Sequence, residues 1–67
     1  MALDKDTKKS IILNRLHTYQ KQEYDIKLSI EIFQETNQDD KLAVSNKALL
    51  STKKAINFLK EKLKELD

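Results

Sequence analysis

Two stretches of the chain repeat apolar residues in alternating steps of three and four. The first reads Ile12, Leu16, Tyr19, Glu23, Ile26, Ile30, Phe33, and the second Leu42, Ser45, Leu49, Thr52, Ile56, Leu59, Leu63, Leu66. A 3.5-residue period held this long specifies α-helices packed side by side, each seam aimed at a partner helix. Between the seams lies a polar break, Asn37-Gln38-Asp39-Asp40. So short a connection makes the two helices antiparallel neighbours. The expected fold is all-α, a coiled-coil-like antiparallel hairpin. Helix 1 is expected over about 6–36, a turn at 37–40 and helix 2 over about 40–66, all within one domain, 1–67. The alternative is a single helix running straight through the polar joint.

Composition supports helix. The 67 residues include no glycine, proline or cysteine. A β-rich fold of this size needs positive-φ turn residues, and only asparagine and aspartate remain for them. Phosphate-cradling loops built on glycine are excluded as well. Chains this small sit near the lower limit for folding alone, and without disulfides they rely on idealised helix packing or on oligomerisation.

Local signals mark the helix ends. Asp4 or Asp6 suits the N-cap of helix 1, because a carboxylate accepts from free N–H groups at the positive helix end. Asn37 is the best residue available for a left-handed C-terminal position. Asp39 or Asp40 is expected to cap helix 2. Its final turns, Lys60 to Leu66, are strong helix formers with cations near the negative end.

The apolar set is wider than one stripe per helix. Ile11, Leu13, Tyr24, Leu28 and Ile32 lie off the first seam, and Val44, Leu50 and Phe58 off the second. Tyr24, Leu28 and Ile32 run at i, i+4, i+8 along one side of helix 1, toward the turn, as do Val44 and Leu50. A fully buried Leu, Ile or Phe contributes on the order of 1.5–3 kcal/mol, so leaving many in water forfeits much of a small domain's stability. Faces this wide belong to bundles of three or more helices. The expectation is therefore a homodimer of hairpins closing a four-helix bundle, with Tyr24, Leu28, Ile32, Val44, Leu50 and Phe58 as its oligomer or partner interface. A monomer with scattered exposed apolar residues is the alternative. Ala48 and Ala55, beside the second seam, are small enough to let a neighbouring helix come close. Charge separation favours turns at opposite ends, because residues 23–40 are acidic apart from Lys27 while most lysines lie in helix 2 and the N-terminal stretch.

Chemistry finds little footing. His17 is the only histidine and has no partner at metal-ligand spacing. Glu31 and Glu35, with Asp39 beyond, read as a solvated face rather than a metal site. No catalytic residue, cofactor site, metal site or small-molecule substrate is expected, and a thin hairpin offers little concavity for an enzyme. Glu23 interrupts the first seam. A polar seam residue costs stability but fixes register and partner choice, and Thr52, Ser45 or Lys53 would be its partners if it were buried. The alternative is a Glu that snorkels to the edge. Lys47, Lys53, Lys54 and Lys60, on the outer side of helix 2, form the one stripe suited to nucleic-acid phosphates. Glu61 and Glu65 interrupt it, and a net charge of +2 is small.

No apolar run approaches the roughly 18 residues of a membrane span, and Asp4 and Asp6 stand where a leader would be basic and then apolar. A cytoplasmic location with no membrane contact is expected, and the Lys, Asn and Ile usage suits an AT-rich phage or plasmid genome. In length, connectivity and heptads the plan is similar to that of small plasmid copy-number proteins, which dimerise as helical hairpins and bind paired RNA loops. No residue motif is shared, so no functional residue carries over. The sequence thus points to a non-enzymatic helical interaction module. It would act as a homodimeric adaptor or regulator that binds another protein; the alternative is an RNA- or DNA-binding regulator using the helix 2 lysines.

Overall fold

A computed structural model describes residues 2–67 of the protein. Two α-helices, α1 (Lys5–Glu35) and α2 (Asp39–Glu65), lie against each other along their length. No single helix runs through the break, and each boundary falls within about a residue of the spacing-based expectation.

Every position of both heptad seams is buried or half-buried, while Ile11, Leu13, Tyr24, Leu28, Ile32, Val44, Leu50 and Phe58 are all exposed. The densest packing is toward the open end. There Leu16 of α1 meets Ile56 and Leu59 of α2, with Ile12 and Tyr19 packed around them. Two antiparallel helices exclude water only from the stripe between them, which explains why so few side chains are fully enclosed.

The ends show how local chemistry sets the boundaries. Asp4 is the N-cap of α1, and its carboxylate accepts from the Thr7 backbone N–H at 2.7 Å. At the other end of α1, Asn37 takes the left-handed conformation, φ 55°. This lets the Gln38 N–H reach the Phe33 carbonyl at 2.9 Å and the Asn37 N–H reach that of Gln34 at 3.3 Å. The pair of bonds is a Schellman closure, which satisfies carbonyls that a helix end would otherwise leave free. The turn is tighter than expected, and this corrects the expected cap of α2. Neither Asp39 nor Asp40 serves; both fall inside the first helical turn, and Gln38 occupies the cap position without a side-chain cap bond. Its amide instead donates to Thr36 Oγ1 at 2.7 Å, so the two aspartates act on α2 only through their charge at its positive end.

A β-branched residue tolerates φ near +55° poorly, so Asn37→Val is expected to lower stability by about 1–2 kcal/mol and Asn37→Gly to change it by less than about 0.5 kcal/mol. Urea unfolding followed by circular dichroism compares the two. Equal stability of both variants would remove the left-handed residue from any role in holding the turn.

The open end is tied by an ion pair between Lys9 of α1 and the Asp67 carboxylate, just beyond α2. The Asp67 hydrogen bond raises the Lys9 ammonium above its usual 10.5, and the same bond holds Asp67 below its usual 3.8. Asp4 is likewise held below 3.8, first by the Thr7 backbone bond. Depressed carboxylates stabilise the fold above their unfolded values and stop doing so as pH falls past the folded ones. A raised lysine stabilises below its unfolded value and ceases as pH climbs past the folded one. The melting temperature is therefore expected to be flat between about pH 5 and 10 and to fall on both sides. Asp67→Asn should shrink the alkaline decline; an unchanged alkaline limb would show that the Lys9 pair contributes nothing in solution.

The hairpin is long and thin, 52 × 19 × 14 Å, with a radius of gyration of 15.6 Å. A compact chain of this length would have roughly 11 Å. It exposes 5411 Å², whereas a compact 7.9 kDa protein exposes roughly 4,400 Å².

Candidate interaction surfaces

Placing the seams at heptad positions a and d sorts the outer residues. Leu16, Glu23 and Ile30 are a residues of α1, and Leu49, Ile56 and Leu63 are a residues of α2. In an antiparallel pair the g positions of both helices flank one side of the seam and the e positions the other.

On the g side an open groove runs between the helices. Tyr19, Gln22, Asp25 and Ile26 of α1 form one wall, and Ala48, Ser51, Thr52 and Ala55 of α2 form the other. A second depression, toward the turn, is lined by Ser29, Phe33, Asp40, Lys41, Val44 and Ser45. Ser29, Phe33, Lys41, Val44 and Ser45 each stand seven residues from a member of the first group, so the two depressions lie along the same side of the hairpin. The same step places Ile32 (from Asp25), Phe58 (from Ser51) and Ile11 (two steps from Asp25) on this side. On the α2 wall the middle of the groove is small, with Ala48, Ser51 and Ala55, and Val44 and Phe58 stand toward its ends.

The groove gathers only part of the interface expected from spacing. Ile32, Val44 and Phe58 fall on the groove side. Tyr24 and Leu50 are b residues and flank the opposite side, and Leu28 is an f residue on the outer ridge of α1. Tyr24 is 67 % exposed, Val44 69 % and Leu50 63 %. Each step of four residues turns about 40° around a helix, so the Tyr24, Leu28, Ile32 run winds across the back of α1 rather than along one face. Lys53 and Lys60 are e residues and Lys47 and Lys54 are f residues. All four are exposed, Lys53 and Lys60 on the side away from the groove and Lys47 and Lys54 on the outer ridge of α2.

Phe58 is 59 % exposed and partly screened by its own helix: the Lys62 ammonium stands 5.5 Å from its ring centre. Lys41 of α2 stands 5.9 Å from the Phe33 ring of α1, a contact between the two helices. Such cation–π contacts contribute only about 0.5–1 kcal/mol when exposed to water.

Glu23 is half-buried, and counting outward from the turn sets it level with Thr52, which is 7 % exposed. Among the described residues Glu23 makes no ion pair and no side-chain hydrogen bond, whether with Thr52, Ser45 or Lys53. No buried side-chain oxygen or nitrogen among those residues lacks a partner, so the carboxylate reaches water at the seam's edge. His17 lies with Gln20, Lys21 and Tyr24 along a shallow depression of α1. Among the described residues no group of three His, Cys, Asp or Glu side chains could hold a metal ion, and no helix is long and apolar enough to cross a membrane.

Sequence spacing alone passed over Gln22, Ser29 and Ser51, which help to line the groove. The available signal was a second 3.5-residue repeat on α2: Val44, Ala48, Ser51, Ala55, Phe58. Its small members made it unlike an apolar seam. No protein-family model matches the chain, and no curated protein or solved structure does either.

Proposed function

We infer that the protein is a non-enzymatic helical interaction module, a homodimeric adaptor or regulator that acts by binding another protein. The observation that carries this reading is the exposure of large apolar side chains on both sides of the hairpin: Ile32, Val44 and Phe58 along the groove, Tyr24 and Leu50 opposite. Scattered exposed apolar residues are ordinary, but opposed rows on a two-helix scaffold supply two interfaces, one for a second hairpin and one for a further protein.

Solution mass from micromolar to hundreds of micromolar protein tests the first half. A species of twice 7.9 kDa is expected. The second half is tested by affinity capture with Tyr24→Ala/Leu50→Glu, which should lose a bound protein while remaining dimeric. The exposed Lys47, Lys53, Lys54 and Lys60 support the competing nucleic-acid reading. A phosphate-driven binder retains nucleic acid at low salt and loses it steeply as salt rises. If that behaviour were seen, and Lys53→Glu with Lys54→Glu removed it, nucleic acid would replace protein as the partner.

A further inference from the structure

We propose that the occupant of the g-side groove is a second copy of this chain, stacked face to face about a two-fold axis near Ser51 with the two turns at opposite ends. This rests on the reading of the protein as self-associating and specifies the surface and the direction.

Three observations carry it. The first is self-complementarity, which a two-fold interface requires because the same patch serves both copies. On α2 the groove stripe reads Val44, Ala48, Ser51, Ala55, Phe58, large at both ends and small between, with Ser51 at its midpoint. On α1, Ile32 lies toward the turn and Ile11 toward the open end. Turning one hairpin end for end over the other sets Val44 of one copy over Phe58 of its partner, seven residues either side of Ser51, while on α1 Ile32 and Ile11 fall about five residues out of step. The small central residues of α2 let the backbones approach closely where α2 crosses α2 of the partner, with Gln22 and Asp25 of α1 standing at the same level.

The second is charge. Residues 31–40 carry Glu31, Glu35, Asp39 and Asp40 and no cation, whereas 5–9 and 60–67 together carry six lysines against four carboxylates. Opposed turns place each acidic end against a basic one; turns side by side place like charges together.

The third is area. The hairpin exposes 5411 Å², about 1,000 Å² more than a compact protein of its mass. A standard specific interface takes about 800 Å² from each partner. Covering one 52 Å by 19 Å face brings the surface back to the ordinary range.

The chain has no cysteine, so Glu35→Cys carries one spin label per copy at the turn end. Glu35 is 11 residues from Tyr24, which lies level with Ser51 at the axis, so opposed turns predict a label separation of about 33 Å at 1.5 Å per residue. Turns at the same end predict about 10–20 Å, the spacing of neighbouring helices. Pulsed electron–electron resonance reads the distance, and light scattering of the same sample gives the mass. Ala48→Glu buries an unpaired charge in the groove and should raise the dimer dissociation constant at least about 100-fold. Helical circular dichroism should persist, because heptad g positions accept glutamate. Leu50→Glu, on the opposite side, should leave the mass unchanged. A dimer with the short distance overturns the orientation, and one that Leu50→Glu breaks and Ala48→Glu does not overturns the face. A monomer at every concentration overturns the proposal and the self-association reading together.

Discussion

Leu59→Ala should cost this protein about 2–4 kcal/mol and lower its melting temperature by roughly 10–30 °C. Leu59 is one of three buried apolar side chains among the described residues, with Leu16 and Ile56, and the three form one packed cluster. Truncation removes the transfer free energy of the lost carbons and leaves a hole that straight helices cannot close without giving up neighbouring contacts. A domain of this size is stable by only about 3–10 kcal/mol, so a large share of the total is at stake. Leu50→Ala is the matched control. Its side chain is 63 % exposed and off the groove, and the change should stay within about 0.5 kcal/mol. Thermal melts of both variants at one fixed protein concentration make the comparison, since association would otherwise shift the midpoint. Equal effects from the two would contradict the placement of the seam.

Glu23→Leu should move stability the other way, by about 1–2 kcal/mol, and with Thr52→Leu somewhat further. Among the described residues Glu23 has no partner for its carboxylate, and the half-buried seam position it occupies is suited to a leucine. Level with it, Thr52 is nearly enclosed and places a hydroxyl where the heptad asks for an apolar side chain. A polar layer in mid-seam is the usual device by which a coiled coil trades stability for one register and one partner number. The double variant is therefore expected to be more stable and less uniform, with larger assemblies beside the main species in light scattering. A fall in stability on Glu23→Leu would show that the carboxylate is engaged in solution, and the specificity role would then need another basis.

The sequence by itself determined the kind of fold and nearly all of its boundaries. Helix geometry is local, so a 3.5-residue repeat from Ile12 to Phe33 and from Leu42 to Leu66 settles which residues of each helix face inward. An asparagine in a chain without glycine is enough to mark the left-handed turn. The cap of α2 was less legible, because it depended on whether the turn closes in three residues or four. That was decided by two backbone bonds from Asn37 and Gln38 to the carbonyls of α1.

Only the tertiary structure decided which outer residues belong together. Spacing by four groups Tyr24, Leu28 and Ile32, yet of these only Ile32 lies on the same side of the hairpin as Val44 and Phe58 of the other helix. The Lys9–Asp67 tie at the open end likewise joins residues at opposite ends of the chain. The physical reason is common to these cases: a helix's own periodicity says which direction a side chain leaves its axis. Which surface that side chain joins depends on where the second helix lies, and that is fixed by packing between residues far apart in sequence.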